Sequence, residues 1–362
     1  MNPAEKLHRL GQRLWLDNIS RELLDHATLQ HYIEHYSITG LTSNPTIFEA
    51  AIGTGNVYDP AILQKTLAGK SGEDLFIELA LDDLRRAADL FRQIFASSHK
   101  LDGWVSMEVS PLLAGDTEGS IEAARRIHQQ ADRPNLFVKI PGTPAGIPAI
   151  ESLIFAGVPI NVTLLFSCEQ YLAAAEAYTR GIERRIEAGL DPDVSSVASL
   201  FVSRWDVAVN ASVPASLRNK LGIAVCGRTC RAWRELLATP RWRRLAGAGA
   251  RPQRLLWAST GTKDPAASDT LYIEALVAAD TINTMPEKTL HAFVDHGRDE
   301  IVLMDAGQAE AMLSRFAQNG IDIAALALRL QQEGTLAFVK SWQKLLQRIA
   351  DKSNALTGKV AV

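Results

Sequence analysis

The chain has 362 residues, 47% of them hydrophobic and 22% charged, and its 38 basic and 41 acidic side chains leave a formal charge of −3. That composition excludes a disordered or low-complexity chain, and the longest apolar run, 152–160, falls far short of the ~20 residues that cross a bilayer. The opening MNPAEKLHRLGQRLW lacks the apolar run of a secretory leader, so a cytoplasmic protein is expected.

In chain order, strand-like runs occur at 13–17, 38–42, 103–108, 136–140, 158–164, 196–202, 254–258 and 280–284. Most are mixed apolar runs rather than clean alternations, the pattern of parallel strands covered on both faces. Between them lie helical patterns at 74–98, 118–131, 167–188, 204–220, 228–238 and 265–277. Ser167 with Gln170 reads as a capping box, and Pro265 as a first-turn residue. A final helix at about 330–350 carries Phe338, Trp342, Leu345 and Ile349 on one stripe, as if laid across the body of the protein. Alternating strands and helices with eight strands predict an α/β fold, a (β/α)8 TIM barrel, over an open sheet. The whole chain, 1–362, is expected to form one barrel domain, with helical insertions at about 50–74 and 221–250.

Cys168, Cys226 and Cys230 show no C-x-x-C spacing and have no nearby histidine, so they read as small buried hydrophobes and no metal site is expected. Between Arg228 and Arg254 stand eight arginines and one acid, Glu235. A basic stretch can bind nucleic acid, but no aromatic-rich strand or helix-turn-helix pattern accompanies it. A solvated helix face and loop is the expectation, with no nucleic-acid partner.

In a barrel of this kind the chemistry sits at the carboxyl ends of the strands. Those ends read Asp17 with Asn18, Ser43 with Asn44, Glu108, Lys139, Asn161 with Thr163, Ser199 and Ser259; the eighth strand offers Asn283 and Thr284. Lys139 lies inside the apolar segment LFVKIPG, whereas Lys6, Lys100, Lys220 and Lys344 stand in charged contexts. Enclosure disfavours the ammonium form, and a neutral amine forms Schiff bases with carbonyl substrates. The competing reading is a lysine snorkelling to solvent or paired with a carboxylate. Asp17 and Glu108, on separate strands, supply the proton transfers that such chemistry needs. Asn44, Asn161, Thr163 and Ser199 read either as caps and satisfied core polars or as groups converging on a polyol.

The segments LWLDNISR, GLTSNPTIF, VSMEVSP, VKIPGT, INVTLLFS and SLFVSRWD resemble, in order and spacing, the successive barrel motifs of the transaldolase family, and the resemblance runs over nearly the whole chain. GLTSNPTIF and VKIPGT are its specific signatures, and WASTGTKDP is similar to the longer branch of the family. The resemblance implies a class I aldolase-type barrel. Such an enzyme transfers a dihydroxyacetone unit from sedoheptulose 7-phosphate to glyceraldehyde 3-phosphate in the pentose phosphate pathway, giving erythrose 4-phosphate and fructose 6-phosphate. It also implies that no cofactor is needed and that the protein is a monomer or homodimer acting on small sugar phosphates.

By the same resemblance, Lys139 forms the Schiff base, Asp17 takes the C4 hydroxyl proton, and Glu108 with Thr163 holds the water that shuttles protons. Asn44, Asn161 and Ser199 hold the dihydroxyacetone hydroxyls, and Arg204 and Ser259 bind phosphate. Many relatives carry a second phosphate-binding arginine where this chain has Gly261; Lys263 is the nearest cation and lacks the bidentate fork. Phe201 matches an aromatic residue that keeps water from the bound three-carbon unit. The alternatives are a fructose 6-phosphate aldolase, whose chains are shorter and carry tyrosine where Phe201 stands, and a non-catalytic sugar-phosphate-binding barrel. The second would be marked by loss of the lysine or a carboxylate, and this chain keeps all three.

Overall fold

A computed structural model describes residues 2–298 and 306–360. The eight expected strands form: β1 (Arg13–Asp17), β2 (Ile38–Thr42), β3 (Val105–Glu108), β4 (Leu136–Pro141), β5 (Ile160–Leu165), β6 (Ser196–Phe201), β7 (Arg254–Ala258) and β8 (Ile282–Met285). All pair in parallel, in the order β2-β1-β8-β7-β6-β5-β4-β3. The two outer strands meet just ahead of β3, where Gly103 N–H donates to Thr39 O and Leu41 N–H to Trp104 O, both at 2.9 Å. The sheet thereby curls into a (β/α)8 TIM barrel. From β2 to β8 every strand residue is buried, because helices cover the outer face and side chains fill the interior.

Bulky groups fill the interior toward the strand starts. Trp104 stacks on Phe137 with ring centroids 4.0 Å apart, and Trp15 lies 6.2 Å from Phe137. Gly40 makes room for the Trp15 indole; a Cβ there would stand 2.6 Å from its Cε2. Below them Asp102 accepts from Trp15 Nε1 at 2.9 Å and pairs with Arg13 at 3.3 Å. The polar residues expected at the strand ends lie at the opposite end, around the strands' carboxyl termini.

Several helices depart from the sequence pattern. The run expected at 204–220 is a short helix, Ser203–Val209, followed by a 3-10 turn at Ala215–Leu217. Pro214 lies between them, and proline both lacks a donor and forces the preceding residue out of the helical region. The next helix starts earlier than expected, at Leu221, and runs to Ala238. Pro265 starts no helix; Asp264 accepts from Ala266 N–H in a turn, and only Leu271–Ala275 is helical. The pattern at 74–98 divides into Gly72–Leu90 and Arg92–Ser97. The Ser167–Gln170 capping box forms as expected, and the three cysteines are buried and unpaired.

The arginine-rich stretch is a solvated face only in part: Arg234, Arg243 and Arg244 are exposed, while the other five arginines are paired or buried. Arg228 and Arg231 both pair with Glu310, at 2.5 and 2.7 Å. Arg241 forks onto Glu176 and Glu183, Arg251 pairs with Asp193, and Arg254 is buried, donating to the carbonyls of Leu101 and Asp280. Acids distant in sequence thus pair with four of the eight arginines.

The last helix is longer than its apolar stripe, Ile323–Val360. Its buried stripe includes Leu330, Phe338, Trp342, Leu345 and Ile349, with Trp342 edge-on to Phe76 at 5.1 Å. It is tied to the helices Pro45–Gly53 and Asp59–Leu67 by Arg348–Glu49 and Lys352–Asp59, both at 2.6 Å. Resting on that insertion, it passes over the rim of the barrel.

Candidate active site

The carboxyl ends of the strands surround a cavity of about 130 Å³. Nine of the eleven residues to which the resemblance gives a role line it: Asp17, Asn44, Lys139, Thr163, Ser199, Phe201, Arg204, Ser259 and Lys263. Glu108 and Asn161 stand directly behind. A roomier cleft of about 560 Å³, lined by His8, Arg13, Thr39 and Asp102, opens among the strand starts and contains none of these residues.

Lys139 is the third-from-last residue of β4 and faces inward beside Glu108, its register partner on β3. Its ammonium donates to Ser43 O at 2.9 Å and lies 3.4 Å from Glu108 Oε2, with side-chain exposures of only 6% and 3%. An ion pair this dry exists only because each charge offsets the other's desolvation. Burial pushes the Glu108 carboxyl above its ordinary range and the charge of Asp17 adds to that, while Lys139 pulls it back. Apart from that Lys139 contact, neither Glu108 oxygen has a hydrogen-bond partner among the described residues, nor does the buried hydroxyl of Thr163.

Asp17 closes β1. Burial raises its pKa, opposed first by the Thr42 hydrogen bond and then by Lys139 and Lys263. Thr42 donates to Asp17 Oδ1 at 2.6 Å, and its hydroxyl meets that of Thr284 at 2.7 Å. One hydroxyl carries one proton, so with Asp17 ionised the chain runs Thr284 to Thr42 to Asp17. Thr42 was missed from the sequence, although it sits two residues before Asn44 within GLTSN. Of the pair at the end of β8, Thr284 lines the cavity and Asn283, alternating to the other face, does not. Asn18 is likewise turned aside, donating to Glu287 at 3.0 Å.

The amide side chains are partly committed. Asn44 caps the helix Pro45–Gly53, its Oδ1 accepting from Ile47 N–H at 3.1 Å, which leaves its Nδ2 for the cavity. Asn161 donates to Ser106 Oγ at 3.2 Å and accepts from Ser199 Oγ at 2.7 Å. It is fully buried, so it orients Ser199 at the cavity wall.

At the mouth, the Arg204 guanidinium lies over two rings, 5.3 Å from the centre of Phe201 and 5.9 Å from that of Phe338. Burial pulls its pKa down and Glu333 opposes that. No acceptor among the described residues takes its N–H groups, so a planar fork of donors faces the opening. Gly334 leaves room for it; a Cβ there would stand 3.2 Å from Arg204 Nη1. Ser259 directly follows β7 in the left-handed region, with φ of 57°, and its hydroxyl meets that of Ser203 at 3.0 Å. Lys263 Nζ lies 3.7 Å from where a Cβ on Gly261 would be, so its charge stands against the space that a side chain at 261 would enter. The site thus joins a buried amine, two carboxylates of raised pKa and two cations at the rim. No group of metal-ligating side chains occurs among the described residues.

A family model described as transaldolase/fructose-6-phosphate aldolase matches residues 14–349. A protein named transaldolase from Thiobacillus denitrificans is 44% identical over 358 residues, covering 96% of this chain and 100% of its own length. Another transaldolase, from Parafrankia, is 41% identical over 360 residues, covering 97% of this chain and 98% of its own. A third, from Thermobifida fusca, is 41% identical over 366 residues, covering 98% and 100%.

Proposed function

Because the chain belongs to the transaldolase/fructose-6-phosphate aldolase family, we propose that its active site is the cavity around Lys139 and that Lys139 is the imine-forming residue. The enzyme is a transferase that moves a dihydroxyacetone unit from sedoheptulose 7-phosphate to glyceraldehyde 3-phosphate, giving erythrose 4-phosphate and fructose 6-phosphate. The observation that carries the site assignment is the buried Lys139 amine, 3.4 Å from Glu108 in a cavity that Asp17 also lines.

Glu108 takes the ammonium proton, and Lys139 Nζ attacks the ketose C2. A C–N bond forms, and the C2 oxygen leaves as water after protonation through Glu108 and the Thr163 hydroxyl. Asp17 then removes the C4 hydroxyl proton, the C3–C4 bond breaks, and its electron pair enters the iminium to give an enamine. The aldose phosphate departs as an aldehyde. The acceptor aldehyde reacts at C3 of the enamine, Asp17 returns its proton to the new C4 oxygen, and hydrolysis frees Lys139.

Ser199 and the Asn44 amide bind the dihydroxyacetone hydroxyls, and Asn161 fixes Ser199. Arg204 and Ser259 bind the distal phosphate, with Lys263 as a point charge in place of a second fork. Phe201 and Phe338 wall off water. The three free, buried thiols fit the reducing cytoplasm, which we propose as the compartment.

Borohydride reduction with fructose 6-phosphate, followed by peptide mass mapping, tests the assignment. A three-carbon adduct should appear on Lys139 alone. An adduct on another lysine would falsify it, as would activity persisting in Lys139→Ala.

A further inference from the structure

One residue beyond Thr163, β5 departs from a regular strand. Its pairing with β6 shifts between Val162 and Leu165, and Leu164 takes a left-handed backbone with φ of 57°. A residue bearing a side chain stays in that region only where its surroundings hold it there. The Leu164 carbonyl accepts from Gln331 Nε2 at 2.9 Å, and the same nitrogen donates to Gly142 O at 3.0 Å. Gly142 directly follows β4, three residues after Lys139, and its own N–H donates to Thr163 O at 2.7 Å. One NH₂ group, with its two protons, therefore ties the end of β4 to the end of β5. Gln331 is buried on the C-terminal helix, one turn before Gly334.

We propose that Gln331 is a positioning residue for the imine chemistry. From a helix outside the barrel it holds the Leu164 kink, and so sets the Thr163 hydroxyl in the wall of the cavity that Lys139 also lines. The proposal rests on the reading of Lys139 as the imine lysine but concerns a separate element. Gln331 hydrogen-bonds to the Gly142 and Leu164 carbonyls and not to Lys139 or Arg204, so its effect is expected in the turnover step and not in phosphate binding.

Two variants test it, with transfer kinetics and borohydride trapping measured on the full chain. Gln331→Met keeps the length of the side chain and leaves two buried carbonyls without their donor. It should lower kcat roughly 10- to 100-fold, with KM for the phosphorylated donor changed by no more than about 3-fold, at every pH. Gln331→Glu keeps one O–H donor while protonated; once ionised it faces two carbonyls with no donor at all. Among the described residues, the nearby charged groups are Arg204, whose Nη1 lies against Gly334, and Arg329 and Glu333 on the exposed side of its own helix. Its kcat relative to wild type should therefore fall as pH rises and recover when pH is lowered. That recovery separates a positioning defect from a failure to fold. Wild-type kcat in Gln331→Met, a rise confined to KM, or a pH-independent ratio in Gln331→Glu would each overturn the proposal. If the wild type itself gives no borohydride adduct on Lys139, the reading beneath it falls, whatever the variants do.

Discussion

At the scale of single residues, the site is governed by what burial does to charge. Asp17 must be ionised to accept the C4 proton, yet burial raises its pKa and the Thr42 hydrogen bond is the largest effect opposing that rise. The acid limb of kcat/KM should therefore lie above the ordinary carboxylate range. Thr42→Val should move it further up, because the bond it removes favours the charged form. Thr42→Ser keeps the donor and should restore the limb; a pH–rate profile of the three proteins decides, and an unmoved limb removes Thr42 from the mechanism. At the rim, Arg204 presents donors that no described protein group uses. A charge-assisted bond is worth about 1.5–3 kcal/mol, so Arg204→Ala should raise KM for phosphorylated substrates about 10- to 150-fold. Lys263→Ala should raise it less, and the opposite ranking would show that the lysine is the principal phosphate ligand.

At the scale of elements, Asp206 joins three helical segments behind the phosphate subsite. It lies in Ser203–Val209, two residues from Arg204, accepts from Leu221 and Gly222 N–H at the start of the next helix, and accepts from Tyr272 Oη at 2.8 Å. Gly222 permits this contact; a Cβ there would stand 2.6 Å from Val202 O. Burial pushes the Asp206 pKa up to about 6 despite these bonds. A carboxyl with a folded pKa above its unfolded value binds its proton more tightly in the native state. Its contribution is therefore fully present below the unfolded pKa and is lost as pH rises through about 6. Between pH 7 and 4 the wild type should gain stability relative to Asp206→Asn, on the order of 2 kcal/mol, because only the acid can take up the proton. Urea unfolding of both proteins across that range is the measurement; a constant difference would place the carboxyl outside the linkage.

At the scale of the whole molecule, the distinction between transfer and release depends on parts far apart in the chain. Phe201 ends β6, while Phe338 arrives from the C-terminal helix, with ring centroids 6.4 Å apart. Together they form an apolar wall beside the carbon skeleton that waits on Lys139 for an acceptor. Fructose 6-phosphate alone should turn over slowly, and addition of erythrose 4-phosphate should accelerate it. Phe201→Tyr introduces a hydroxyl that can hold a water, and should shift the balance toward free dihydroxyacetone. Measuring its release with and without acceptor tests this. Release by the wild type as fast as transfer would make the enzyme an aldolase of the same family.

The sequence by itself determined the eight strands, the barrel and the strand-end residues. Parallel strands covered on both faces leave apolar runs that stand out locally, and GLTSNPTIF and VKIPGT carry side chains whose neighbours lie within a few positions. Lys139 was legible for the same reason: a charged residue amid apolar ones needs no distant information to be noticed. Helix limits were less legible. Pro214 and the Asp264 turn cut patterns that periodicity alone extends, and the helix that starts at Leu221 is fixed by Asp206 from another segment. Only the tertiary structure decided where the charges go and which groups orient which. Arg228, Arg241 and Arg251 find acids 58 to 82 residues away, Thr42 meets Thr284 across 242, and Gln331 reaches Gly142 and Leu164 across 189 and 167. Such pairs leave no periodicity or spacing in the chain, because barrel closure and the path of the last helix, not local propensity, bring them within hydrogen-bond reach.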